Sequence, residues 1–207
     1  MPAKPKIDFS DPQQERSKKT LEDLLQAAYE IVEAADPAAF TSRNLASKAG
    51  YSLGTLSQRL GSVEDVFFWA IQKSRESKLN SYVEEMTQFN PQLTIHNFVE
   101  IFVDKAFTNM NIVSTKVMRF YDQRYSLKYG LTADYFDYTD VLVDPYLELC
   151  QKNKTNTFRL LSVEEARFIF KCGLTLVERP FANQDPIAGT EEHRQIAIDS
   201  LTRLMAK

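Results

Sequence analysis

The sequence predicts an all-α protein of about nine helices, in which a three-helix N-terminal head containing a helix-turn-helix is joined by a long helix to a larger helical body. Apolar residues recur at three- and four-residue steps along most of the chain, the period of a helix face. The alternating Val, Ile and Thr runs of half-buried strands are hard to find. Only six glycines occur in 207 residues, and caps and prolines punctuate the apolar segments.

The opening dozen residues hold three prolines and read as an arm. From Arg16, the residues Leu21, Leu24, Leu25, Ala28, Ile31, Val32 and Ala35 share one helix face, which Asp36-Pro37 ends. Leu45, Ala46 and Ala49 make a short helix between Ser42 and Gly50, with Gly50 as its left-handed closing residue. Ser52 caps a third helix, in which Leu56 and Leu60 face inward and Gly61 marks the end. Two short helices joined by a tight turn containing glycine are the sequence form of a helix-turn-helix.

Ser62-Val63-Glu64-Asp65 places a hydroxyl three residues before a carboxylate and opens a long helix. Its buried stripe holds Val66, Phe67, Ala70, Ile71, Val83 and Met86, and Asn90-Pro91 stops it. Thr94 caps a helix with Phe98, Ile101, Phe102 and Phe107. The next carries Val113, Val117, Phe120, Tyr121 and Leu127, and breaks at Tyr129-Gly130. One helix is expected over residues 133–153, with Tyr135, Phe136, Leu142, Val143, Tyr146 and Leu149 on it and a kink at Pro145. After a polar loop, Ser162-Val163-Glu164-Glu165 is a full capping box that opens a helix through Ile169, Phe170, Leu174 and Val177 to Pro180. The last helix starts near Thr190 and carries Ile196, Leu201, Leu204 and Met205. The pattern divides the chain into an arm and head, residues 1–62, and a body, residues 63–207.

Composition bounds the function. Hydrophobic residues at 43% and charged residues at 26% are ordinary for a soluble globular chain. The N-terminal stretch lacks the apolar core of a signal peptide and no run reaches the ~20 apolar residues of a membrane span, so a cytoplasmic protein with no membrane partner is expected. Cys150 and Cys172 have no motif spacing and read as buried thiols. His96 and His193 are the two histidines, and neither stands in a metal-ligand spacing or beside a nucleophile motif. The expectation is a non-enzyme with no catalytic residues, no metal and no cofactor. A net charge of -3 is neutral evidence on nucleic acid. Lys4, Lys6, Arg16, Lys18, Lys19, Arg43, Lys48 and Arg59 all fall in the first sixty positions, among about as many acids.

A recognition helix lies with its N-terminal residues against base edges, so the positions before Leu56 must be small or polar, as Ser52, Gly54 and Thr55 are. Gly54 lets backbone approach DNA closely. The hydroxyls of Thr41 and Ser52 and the free amides at the helix N-termini suit phosphate oxygens, although both residues also serve as caps. Gln58 can pair with adenine N6 and N7, and Arg59 can reach guanine or a phosphate.

The string FTSRNLASKAGYSLGTLSQRLGSVEDVF, with an amphipathic helix before it and a long capped helix after it, resembles the DNA-binding head of TetR-family repressors. The matching positions are Thr41, Arg43, Leu45, Ala46, Ala49, Gly50, Ser52, Gly54, Thr55, Leu56, Leu60, Ser62 and Glu64. The sequence departs from the family pattern at Leu53, where a basic or polar residue is usual, at Ser57 and Arg59, which replace an aromatic pair, and at Val63, which replaces a lysine. The expected DNA-binding set is Thr41, Arg43, Ser52, Leu53, Gly54, Thr55, Ser57, Gln58 and Arg59, with Leu53 against a thymine methyl.

The resemblance implies a bacterial transcriptional repressor that binds a near-palindromic operator on double-stranded DNA as a homodimer, is nucleoid-associated when bound, and is released by a small apolar or aromatic effector. It places that effector among body helices, where Phe98, Phe102, Phe120, Tyr121, Tyr125, Tyr135, Phe136 and Tyr146 are the candidate lining; each also reads as ordinary core. It places dimerisation on the final two helices, with Ile169, Gly173, Val177, Leu201 and Leu204 as candidates. The competing function is a helical protein-binding adaptor that keeps a degenerate head for packing.

Overall fold

The computed structural model describes the backbone of residues 15–34, 37–60, 62–110, 112–130 and 133–207. The N-terminal arm with Lys4 and Lys6, the residues Ala35, Asp36 and Gly61, and the side chains of Arg16, Val113, Tyr135 and Phe136 lie outside the described residues. The predicted helical class holds. In chain order the α-helices are α1 (Glu15–Ala34), α2 (Ser42–Ala49), α3 (Leu53–Arg59), α4 (Val63–Gln88), α5 (Ile95–Asn109), α6 (Ile112–Tyr129), α7 (Val143–Lys152), α8 (Val163–Asn183) and α9 (Glu191–Met205), with 3-10 segments at Pro37–Ala39 and Ala133–Leu142. Among the described residues, β pairing is confined to an isolated bridge between Phe158 and Ala206. No helix among them is long and apolar enough to cross a membrane.

The chain forms two compact units, Met1–Glu76 with Lys116–Tyr135, and Ser77–Thr115 with Phe136–Lys207. In the first, α1 packs on α2 and buries Leu24, Ala28, Ile31 and Val32 of its predicted stripe, with Ala27 beside them, while Leu21 and Leu25 stay partly exposed; Leu45 and Ala46 of α2 and Leu56 of α3 are buried too. Phe40, just before α2, stacks on Phe67 of α4 with ring centroids 4.8 Å apart and meets Phe120 of α6 edge-on at 5.1 Å. The first turn of α4 is anchored to the end of α6, because Lys128 Nζ lies 2.7 Å from Asp65 Oδ1 and the Tyr129 hydroxyl donates to the same oxygen. Asp65 also suits the positive end of its own helix. Ser74 on α4 donates to Glu33 on α1.

In the second unit, Phe98, Val99 and Val103 of α5, Tyr146 and Leu149 of α7, Ile169 and Val177 of α8, and Ile198, Leu201 and Met205 of α9 form one buried cluster with Phe158. Arg194 of α9 forks onto Asp104 of α5 at 2.5 and 2.9 Å and reaches Glu100 at 3.2 Å. That pairing raises the guanidinium pKa, with the Asp104 hydrogen bond as its chief cause. Thr94 and Asn97 form a reciprocal capping box at the start of α5, with Asn97 in the place usually held by Glu or Gln. The backbone N–H of Ile95 gains a further partner in the Thr157 hydroxyl, 3.0 Å away.

Several expectations are corrected. The segment expected as one kinked helix over 133–153 is a 3-10 stretch followed by α7, with Pro145 in the first turn of α7. An N–H missing there is one of those a helix start leaves unbonded, so Pro145 fits without a kink. Helix α8 runs through Pro180 to Asn183 instead of ending at the proline. Leu127, expected on a buried stripe, is 84% exposed, because the packed face of α6 follows Val117, Met118, Tyr121 and Tyr125. Cys150 and Cys172 are free and only partly buried.

Candidate nucleic-acid interface

Caps set the ends of the two short helices of the helix-turn-helix. Thr41 Oγ1 accepts from the Asn44 N–H at 3.2 Å, and Asn44 Nδ2 donates to the Ala39 carbonyl at 3.1 Å, which fixes the entry to α2. Gly50 closes α2 at φ 76°, a left-handed geometry that strains most side chains, and the next N–H, on Tyr51, bonds the Ala46 carbonyl at 2.9 Å. Ser52 Oγ then accepts from the Thr55 N–H at 3.1 Å and opens α3. At seven residues α3 is too short to persist alone, so its cap and the buried Leu56 and Leu60 hold it.

The predicted contact residues share the outer side of this substructure but differ in what they have free. Thr41, Ser52, Gly54, Ser57 and Gln58 are exposed, Thr55 and Arg59 are partly exposed, and Leu53 is 49% exposed. The Ser52 and Thr55 hydroxyls lie 3.0 Å apart and bond each other, and Ser57 Oγ donates back to the Leu53 carbonyl at 3.1 Å. Ser57 has thus committed its proton, whereas the Ser52–Thr55 pair uses one of its two and keeps the other to donate. Arg43, Gln58 and Arg59 bond nothing among the described residues, so their full donor sets face outward. Lys48 is already paired with Glu30 at 2.9 Å, and that bond holds the Glu30 carboxyl below its ordinary pKa.

Gly54 is informative because the fold has no need of it. Its φ is not positive, and the nearest neighbour of a Cβ built there is Ser52 Oγ at 3.6 Å, an ordinary contact. Its missing side chain opens space on the outward side only.

Six of the eight aromatic candidates for an effector site have described side chains, and these fall in two clusters. In the first unit, Phe120, Tyr121 and Tyr125 pack around Phe68, and Tyr121 accepts a hydrogen bond from Gln72 at 2.9 Å. In the second, Phe98 stacks on Phe102 at 4.3 Å and contacts Tyr146 at 5.6 Å. Tyr135 and Phe136 lie outside the described side chains. A groove of about 190 Å³ in the second unit is lined instead by Met86, Phe89, Pro145 and Leu149, with Glu148 and Lys152 among its polar residues.

Of the dimer candidates, Ile169, Val177 and Leu201 are buried in the chain's own core. A Cβ on Gly173 would come within 3.4 Å of Leu201, so the close approach it permits is made by α9 of the same chain. Leu204 is exposed, together with Ile196 at 44%, which the sequence places among the apolar residues of the last helix but not among the dimer candidates, and Phe168 at 68%. Their signal was present: each is a large apolar residue one position off the buried stripe of its helix. No group of three or more metal-ligating side chains occurs among the described residues.

No family model matches the sequence, and no curated protein does. A solved structure matches, that of a chain assigned to the TetR family of transcriptional regulators from Mesorhizobium loti MAFF303099. It covers 94% of this chain and 100% of its own length, with a TM-score of 0.57 and 14% identity. The two share a fold.

Proposed function

We propose that this protein is a sequence-specific DNA-binding transcriptional regulator acting as a repressor, bound as a homodimer to a near-palindromic operator and released by a small apolar or aromatic effector. The observation that carries the reading is the helix-turn-helix itself, whose α2 and α3 carry Arg43, Gln58 and Arg59 without partners among the described residues and an exposed glycine whose missing side chain the fold does not require. Gln58 reads adenine, Arg59 reads guanine or a phosphate, and Leu53 touches a thymine methyl. Thr41 and the Ser52–Thr55 pair donate hydroxyl protons to phosphate oxygens and set register, Ser57 stands beside them on the same exposed side, and Arg43 neutralises a phosphate. The fold shared with a TetR-family chain supports the same reading.

Dimerisation follows from the mechanism, since one short helix reads only a few base pairs and two are needed for a palindrome. Exposed Phe168, Ile196 and Leu204 on α8 and α9 are the surface this reading assigns to the partner copy. The effector acts by binding better to dimers whose heads are wrongly spaced. An effector held by the aromatic residues has to open one of their packed clusters. The protein works in the cytoplasm, on the nucleoid when DNA-bound.

Selection of bound sequences from random duplex DNA tests the reading. Recovery of a site with two-fold symmetry is expected, and no enrichment over input contradicts it. The exposed Leu53 and the paired Lys48 favour one competitor, a helical adaptor with a degenerate head. That protein would bind DNA with no steep dependence on salt.

A further inference from the structure

The helix-turn-helix carries one phenol, Tyr51, and its hydroxyl is committed to α1. It donates to Asp23 Oδ2 at 2.7 Å, and Thr20 hydrogen-bonds the same hydroxyl. Thr20 and Asp23 stand three apart on α1 and so share a face, and Glu30, two turns beyond Asp23, holds Lys48 of α2 at 2.9 Å. One ridge of α1 therefore grips the second helix and the turn at two points. Helix α3 has no such tie: among the described residues its side-chain hydrogen bonds are confined to its own cap and backbone, and its inward contacts are apolar. What sets its direction is the turn immediately before it, and Tyr51 is the residue of that turn bonded to α1.

We propose that Tyr51 is a positioning residue, whose hydroxyl bond to Asp23 fixes the angle at which α3 presents Gln58 and Arg59 to base edges. This rests on the DNA-binding reading above. Hydrogen bonds to bases are directional and fail with a small rotation, whereas phosphate attraction tolerates it, so loss of the anchor removes discrimination before it removes affinity. The bond to Asp23 also raises the phenol pKa, so the hydroxyl keeps the proton it donates.

The experiment has two arms, both on the full chain. In the first, amide hydrogen exchange is followed on the free protein in Tyr51→Phe, Asp23→Ala and Asp23→Asn. Exchange at Leu56 and Leu60 is expected to quicken about tenfold in the first two, with α5 unchanged. Asp23→Asn keeps an acceptor oxygen and is expected to stay within about twofold of the parent. In the second arm, the affinity ratio of selected site to random duplex is expected to fall about five- to tenfold in Tyr51→Phe, with random-duplex affinity and its salt slope unchanged. The double variant Tyr51→Phe/Asp23→Ala should be no worse than either single one.

Unaltered exchange in Tyr51→Phe overturns the proposal whether or not the protein binds DNA. Equal loss on both duplexes with a shallower salt slope also overturns it, since the phenol would then be a phosphate contact. A parent protein that binds no DNA defeats the functional reading instead, and the exchange arm still decides the anchor.

Discussion

His193 Nε2 lies 2.9 Å from the carbonyl oxygen of Leu176, the acceptor left open because Pro180, four residues on, has no N–H to offer. The other ring nitrogen, Nδ1, accepts from the Gly189 N–H at 3.2 Å, so the bonding pattern assigns a neutral ring with its proton on Nε2. Phe107 and Phe181 pack against the ring at 4.7 and 5.5 Å. A buried histidine of α9 thus repairs a defect in α8, which is how α8 continues through its proline.

The repair predicts a dependence between two positions. His193→Leu leaves the part-buried Leu176 carbonyl without its partner and frees the Gly189 N–H to solvent, and is expected to cost about 1–3 kcal/mol of unfolding free energy in urea titration. In a Pro180→Ala background the restored N–H can bond Leu176, so His193→Leu should cost at least about 1 kcal/mol less there. Equal costs in both backgrounds would show that the Leu176 bond contributes nothing.

Gly54→Ala separates folding from DNA binding. The site accepts a Cβ, and alanine favours a helix by about 1 kcal/mol over glycine, so thermal stability should hold or rise. Affinity for the selected operator should fall about tenfold, the scale of one lost base contact. A destabilised variant with unchanged affinity would assign Gly54 to the fold instead.

Phe168→Glu and Ile196→Glu test the assignment of the partner surface. Both side chains are exposed in the single chain, so the charge should leave helicity intact while shifting sedimentation from dimer to monomer. Ile169→Ala, inside the chain's own core, should instead lower stability by about 2–4 kcal/mol. A dimer that survives both glutamates places the interface elsewhere.

Alkaline pH supplies a further test. Burial pushes the Tyr82 and Tyr121 phenols up to about 12 from an ordinary value of 10.0. Their folded pKa values are raised, so their contribution to stability is whole below pH 10 and is lost as the pH climbs from 10 toward 12. Unfolding followed by circular dichroism across that window should coincide with phenolate absorbance, and Tyr121→Phe should flatten the decline. Phenolate appearing at pH 10 from every tyrosine of a still-folded protein would contradict the burial.

Helix identity was legible because it rests on local chemistry. Thr41, Ser52, Thr94, Ser162 and Thr190 stand at helix starts in the sequence and cap them in the structure. Ends were harder where the deciding partner is remote in sequence. Pro180 reads as a stop until His193, thirteen residues later, is known to take the open carbonyl. Leu127 and Ile196 carry the right residue type for a core and point outward, because one position of drift on a helix turns a side chain by about 100°. On the candidate interface the positions of Gln58 and Arg43 follow from the motif. The Tyr51–Asp23 bond joins residues 28 positions apart and leaves no periodic trace.

DNA binding by the unpartnered basic and amide side chains of α2 and α3 is tested most directly by affinity as a function of salt. Parent protein, Arg43→Ala and Gln58→Ala are titrated with the selected site and a scrambled duplex across a salt series. A steep fall of log K with log salt is expected for the parent, with the slope reduced by about one in Arg43→Ala. Gln58→Ala should keep the slope and lose about 1–3 kcal/mol on the selected site alone. A flat response in the parent, or equal loss on both duplexes in Gln58→Ala, would contradict it.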